Sequence, residues 1–201
     1  MTTKIYEPPY FKNREFGFML HGMTTMTRHK AFSSIERLRT YLIEHAPTQV
    51  YFSSSKYEFP DTYPMEDKKK LWIGQDLVFD IDDDHLKKPT LNEARKQADK
   101  LVSILEDQFG LKKILLASSG RRGFHVHVHD DCVQKLRKPE RREITEAFGH
   151  YRTKHGRKII NPNWVEIDPV VTPDVVRLIG LPGTLNIKNG TTGKRTIIKS
   201  Y

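Results

Sequence analysis

The stretch Phe124-His-Val-His-Val-His129 constrains this chain more than any other. Apolar and imidazole side chains alternate through all six positions, and a strand sends successive side chains to opposite faces. The pattern specifies a strand with Phe124, Val126 and Val128 in a core and His125, His127 and His129 lining the other face. Ahead of it lies Ser118-Ser119-Gly120-Arg121-Arg122-Gly123, whose two glycines permit a tight turn with exposed backbone N–H groups. Two guanidinium groups in such a turn suit phosphate, which the arginine fork binds bidentately. An isolated histidine is ordinarily a satisfied surface or core side chain. Three on one strand face, directly after an Arg-Arg turn, fit that explanation poorly.

A second strand carries carboxylates. In Leu77-Val-Phe-Asp80-Ile-Asp82-Asp-Asp84, alternation puts Val78, Asp80 and Asp82 on one face and Leu77, Phe79 and Ile81 on the other. Two carboxylates one pleat repeat apart repel, and each raises the other's pKa unless a cation neutralises them. Hard divalent cations take oxygen ligands, so Mg²⁺ or Mn²⁺ fits this pair better than zinc. A pair of aspartates alone is a weak signal, since a solvated acidic strand end reads the same way.

The remaining periodicities outline helices and strands in alternation. Ser33 with Glu36, and Thr90 with Glu93, have capping-box spacing before amphipathic runs. Pro139 opens a basic helical stretch. Residues Val165–Val171 read as a strand containing Asp168, a candidate third carboxylate, with Glu166 two residues away as its competitor. Thr172 and Pro173 are expected to cap a short helix through Ile179. Thr184–Lys188 and Arg195–Lys199 are expected to form a closing hairpin across Asn189-Gly190 and Gly193. There Asn186 and Lys188 share a face, and a lysine beside a nucleotide site can hold a triphosphate. The expected class is α+β, a small sheet backed by helices on one face.

With 34 Lys and Arg against 25 acidic residues the chain carries +9, which favours a polyanionic partner, chiefly nucleic acid. The stretch Lys135–Lys158, basic and interleaved with Phe148 and Tyr151, is the natural nucleic-acid-facing segment, with Arg141 and Arg142 on it. No run of about 18 apolar residues exists, so no membrane span is expected. The amino terminus lacks the apolar stretch of a secretory signal. The lone Cys132 forms no internal disulfide and no four-thiolate zinc site, and points to a reducing, intracellular compartment.

Taken in order, the carboxylate pair, SGRRGFHVHV, a single Asp, VTPDVVRLI and PGTLNIK resemble the small catalytic subunit of the archaeal and eukaryotic DNA primase superfamily. MTRHKAF and KKLWIGQDL add to the likeness, which runs through residues 14–198. The resemblance implies one catalytic domain over residues 1–201, built as an RRM-like catalytic sheet with a second α/β module. It implies two-metal nucleotidyl transfer with Mg²⁺ or Mn²⁺, a DNA template and primer, nucleoside triphosphates and a large primase subunit as partners. The location would be cytoplasmic if archaeal and nuclear if eukaryotic. Carried over by position, Asp80, Asp82 and Asp168 are the metal-binding catalytic carboxylates. Ser119, Arg121, Arg122 and His125 are the nucleotide contacts, with His127 in the same motif. Lys188 is nominated as the remaining triphosphate cation.

Three departures from the family stand out. The zinc-binding knob usual between the first two motifs is missing, so no zinc is expected. Asn186 stands where a His is usual, and Gly180 where a basic residue is common. Two other functions compete on the residues alone: a zinc-dependent hydrolase built on His125 and His127, and a nucleic-acid-binding module with a decayed site.

Overall fold

The computed structural model describes residues 4–63, 67–149, 151–154 and 157–201. In chain order, β1 is Phe16–Met19, β2 Thr27–Lys30, α1 Ile35–His45, β3 Gln49–Ser53 and β4 Ser55–Tyr57. Then come α2 (Asp67–Lys70), β5 (Trp72–Gln75), β6 (Leu77–Asp82), α3 (Leu91–Asp107), β7 (Ile114–Ser118) and β8 (Gly123–Val128). They are followed by α4 (Lys138–Ala147), β9 (Tyr151–Lys154), β10 (Arg157–Ile160), β11 (Leu178–Gly180), β12 (Leu185–Lys188), β13 (Thr191–Lys194) and β14 (Ile197–Lys199). This is a mixed α+β chain, as the interleaved periodicities require.

The chain divides into two compact units. The first holds residues up to Gln75, Ser119–Arg121 and Val176–Ile197; the second holds Asp76–Ser118, Arg122–Val175 and Ile198–Tyr201.

In the first unit the sheet runs β13-β12-β3-β1-β2, with β11 also pairing β3. Phe16 and Phe18 on β1, and Val50 and Phe52 on β3, alternate into one core that Leu38 of α1 closes. Helix α1 starts one residue later than the capping-box spacing suggests. Ser34, not Ser33, accepts from Arg37 N–H, at 3.4 Å. Glu15 is fully buried there. Burial alone would raise its pKa, but hydrogen bonds and charge from Arg28 and Lys70, each 2.9 Å away, hold it below the usual carboxylate value.

In the second unit the sheet runs β14-β7-β8-β6, and β8 is antiparallel to both its neighbours. Leu77, Phe79 and Ile81 of β6 and Phe124, Val126 and Val128 of β8 form one face, packed with Ala94, Ala98, Leu101 and Leu105 of α3. Thr90 caps α3 as its spacing foretells, accepting from Glu93 N–H at 3.1 Å. Arg141 of α4 is wholly buried rather than template-facing, and donates to the carbonyls of Leu136, Asp76 and Val133. Burial pulls its pKa down to about 10. Basic residues on an amphipathic helix need not face outward, because a guanidinium has five donors with which to satisfy interior carbonyls. Arg142 is exposed. The side chains of residues 151–159 in the same basic stretch lie outside the described residues.

Three sequence expectations are corrected near the carboxyl end. Residues 165–168 form no strand, and 169–171 lie in a turn. Pro169 has no N–H to give a ladder, and Val170 N–H is taken by the Asp168 side chain at 2.9 Å. The segment Thr172–Ile179 is not a helix. Thr172 Oγ1 donates to Val78 O at 2.7 Å, and Leu178–Gly180 pair with Ser53–Tyr51 as strand β11. A β-branched run this short is better held by sheet pairing than by one turn of helix. The final hairpin is tighter than expected. β12 pairs β13 across the two-residue loop Asn189-Gly190, both with positive φ of 51° and 72°, while β14 pairs β7.

Candidate functional site

The register of β6 on β8 brings Asp80, Asp82 and His125 together in the second unit. Asp80 lies opposite His125, and Asp82 opposite Gly123. Asp80 and Asp82 are half-buried on one face, away from the packed Leu77, Phe79 and Ile81. Asp80 Oδ1 is 3.6 Å from His125 Nε2. Gly123 is there for a steric reason. A Cβ at that position would sit 2.2 Å from Asp82 Oδ1 and 2.3 Å from Ile81 O, so any side chain would displace the carboxylate. The sequence presents Gly123 as a turn residue; its service to Asp82 is legible only once the register is known.

Burial raises the pKa of Asp82, and the charge of Asp80 raises it further, while His125 and Arg122 pull it back. Two carboxylates held together against their own repulsion are the oxygen-rich donor set that suits a hard divalent cation. Asp168 comes to the same strand. Its N–H donates to Asp80 O at 2.9 Å, although its carboxylate accepts from Val170 N–H. The competing Glu166 accepts from Lys87 N–H at 3.1 Å instead. Among the described residues, no three His, Cys, Asp or Glu side chains are grouped closely enough to cage a metal.

The histidines do share the face opposite Phe124, Val126 and Val128, but all three are buried: His125 at 9%, His127 at 0% and His129 at 4% exposure. Their ring centroids follow each other at 6.2 and 6.0 Å along the strand. A zinc ion would need their nitrogens about 2.0–2.1 Å from a common centre. His129 is instead tied to the buried carboxylate of Asp76, 3.0 Å from its Nδ1.

Arg122 forks onto Asp84, with its Nε 3.7 Å from Asp83 Oδ1. The acidic run after β6 thus has a partner that its sequence does not announce. Ser119 and Arg121 belong to the first unit, as does Lys188. Asn186 donates to Ser119 O at 2.9 Å, and Lys188 is exposed at the end of β12. Gly180 leaves room for another cation. A Cβ there would meet Arg195 Nε at 2.2 Å, and Arg195 lies over the Tyr51 ring, 5.2 Å from its centroid.

Comparison with known proteins identifies the family. The family described as DNA primase small subunit matches residues 79–179, which begin within β6 and end within β11. The DNA primase small subunit of Pyrobaculum calidifontis is 38% identical over 218 aligned positions, covering 89% of this chain and 69% of that protein. This chain belongs to the DNA primase small-subunit family. The Saccharolobus solfataricus primase small subunit is 35% identical, covering 94% of this chain and 71% of its own length. Since 218 aligned positions exceed the 201 residues of this chain, the Pyrobaculum primase subunit carries insertions that this chain lacks. Among solved structures, the polymerase domain of Mycobacterium tuberculosis Ligase D in complex with DNA shares the fold. Its TM-score is 0.53 at 16% identity, over 94% of this chain and 63% of that one. Family membership makes the chain a metal-dependent, DNA-directed nucleotidyltransferase and removes the zinc-hydrolase reading. Among the described residues no helix is long and apolar enough to cross a membrane.

Proposed function

We propose that this chain makes or extends primers on a DNA template, joining nucleoside triphosphates to a primer 3′ end, with residues 1–201 serving as one catalytic domain. The observation that carries the reading is the Asp80–Asp82 face of β6, with Gly123 left bare for the Asp82 carboxylate. In the reaction the primer 3′-oxygen forms a bond to the α-phosphorus. The bond from that phosphorus to the bridging oxygen breaks, pyrophosphate leaves, and the hydroxyl proton passes to water.

Asp80 and Asp82 would hold the cation, Mg²⁺ or Mn²⁺; Asp168, whose carboxylate accepts from Val170 N–H, would have to turn inward to serve as a third ligand. When bound, the metal supplies charge neutralisation at the attacking and leaving oxygens. The protein's share is placement. Arg122 and His125 would fix the triphosphate, with Ser119, Arg121 and Lys188 as further contacts. Arg122 must leave Asp84 to do so. A large primase subunit is the expected partner, and the exposed Arg142 on α4 the expected backbone contact to template. No structural zinc is expected, because Cys132 is the one cysteine. Elemental analysis finding about one zinc per chain would overturn that part.

The test is extension of a labelled primer on a DNA template by the purified chain. Each of Mg²⁺, Mn²⁺ and Zn²⁺ is supplied with ribo- or deoxynucleotides. Extension with Mg²⁺ or Mn²⁺ supports the reading. Template binding without extension under any condition would favour the decayed module.

A further inference from the structure

Residues 119–121 are held in the first unit by a seat built from β12 and β13. Asn186 and Gly193 are directly opposite each other in that hairpin. The Asn186 side chain reaches out and donates to Ser119 O at 2.9 Å. At Gly193 a Cβ would lie 1.4 Å from Gly120 O, so the two backbones touch where that glycine stands. Gly120 itself has φ +83°, and a Cβ on it would meet Arg195 N and the Lys194 carbonyl carbon at 3.0 Å. The hairpin is braced beneath this contact. Arg195 N–H donates to Thr184 O at 2.9 Å, and Arg195 Nη1 to Leu185 O at 2.6 Å.

We propose that this hairpin is the positioning element for the 119–121 turn, with Asn186 and Gly193 as positioning residues that fix its backbone and touch no substrate themselves. This rests on the reading that the turn binds the triphosphate. It also gives the asparagine a task of its own. A neutral amide that donates to a carbonyl holds a backbone in place, whereas a group meant for a triphosphate would gain from positive charge. The two residues differ in a useful way. Asn186 has a polar group that could in principle reach a ligand, and Gly193 has none. If both act only through the turn, losing either has the same kind of consequence.

The experiment compares Asn186→Asp, Gly193→Ala and the double variant with wild type, and with Thr192→Ala as a control. Thr192 is exposed on β13 of the same hairpin, so its truncation leaves the backbone and the seat unaltered. Two quantities are read: amide hydrogen exchange of the peptide spanning Ser118–Gly123 without nucleotide, and KM and kcat for nucleotide in primer extension. Asn186→Asp keeps the shape but sets a carboxylate against a carbonyl. It should speed exchange in the peptide and raise KM about three- to ten-fold with little change in kcat. Gly193→Ala should raise KM more than ten-fold. The double variant should be no worse than Gly193→Ala, because the turn is already released. Thr192→Ala should leave peptide exchange and KM near wild type. Unchanged exchange in Asn186→Asp would overturn the proposal, whatever happens to KM. It would also be overturned if KM rose in Asn186→Asp and stayed normal in folded Gly193→Ala, since Asn186 would then be a direct contact. Faster exchange with normal KM in both would leave the seat standing and remove the turn from phosphate binding.

Discussion

Asp84→Asn should make the enzyme bind nucleotide more tightly. Arg122 is the arginine expected to grip phosphate, yet its guanidinium is forked onto Asp84. Any nucleotide that recruits Arg122 must first break this pair. The two side chains are about half exposed, at 52% and 49%, so solvent screens the interaction heavily. Exposed pairs of this kind contribute roughly 0.2–1 kcal/mol. At about 1.4 kcal/mol per tenfold, releasing Arg122 is worth roughly 1.4- to 5-fold in nucleotide affinity. A second effect has the same sign, since Asp84 is a negative charge close to where a triphosphate would lie. The assay is steady-state primer extension with varied nucleotide, in wild type and variant, at low and at about 0.5 M salt, where surface charges are largely screened. KM should fall at low salt, kcat should hold, and the difference should shrink at high salt. A rise in KM would refute the reasoning and would make Asp84 part of the cation site. An unchanged KM at low salt would mean that Arg122 makes no contact with the nucleotide.

Other consequences follow from the same geometry. The pKa of Asp82 is raised in the fold above its ordinary 3.8, so the stability its protonated form supplies is complete below about pH 4 and lost as pH rises through the folded value. Asp82→Asn should therefore melt higher than wild type at neutral pH and equally below pH 4, and added Mg²⁺ should narrow the gap by stabilising wild type alone; thermal scans across pH decide it. Gly123→Ala should lower the melting temperature by a few degrees, from overpacking of about 1–3 kcal/mol, and should cost far more extension activity than that loss explains. Arg141→Met takes a donor from three interior carbonyls, of which Val133 O keeps Leu136 N–H, and should cost about 2 kcal/mol or more, a drop of roughly 4 °C or beyond. By contrast, Arg142→Glu should leave stability alone and flatten the salt dependence of template binding.

Much of the second unit could be read from period-2 alternation alone. The faces of β6 and β8 are as the alternation dictates, because a strand buried on one side leaves its residues no other choice. The helix after Thr90 is equally plain, since its cap and its apolar stripe agree. What failed was local signal overruled by partners far along the chain. Leu178-Ile-Gly looks like the end of a capped helix, but its place against β3 is settled by residues 51–53. Arg141 and Arg142 are indistinguishable in the sequence, yet one fills the interior and the other faces water. The carboxylate pair was legible, while the reason for Gly123 and the Arg122–Asp84 fork were not. Both depend on which residues the β6–β8 register sets opposite one another, and no spacing rule supplies that.

The most direct test of the account is cation binding read beside extension in Asp80→Ala and Asp82→Ala. Mn²⁺ binding would be followed by electron paramagnetic resonance, with template affinity measured on the same preparations. The account predicts that each variant folds, binds template as wild type does, loses Mn²⁺ binding and extends no primer. A cleanly purified variant that extends primers at near wild-type rate would contradict it, and the carboxylates of β6 would then be a solvated strand end.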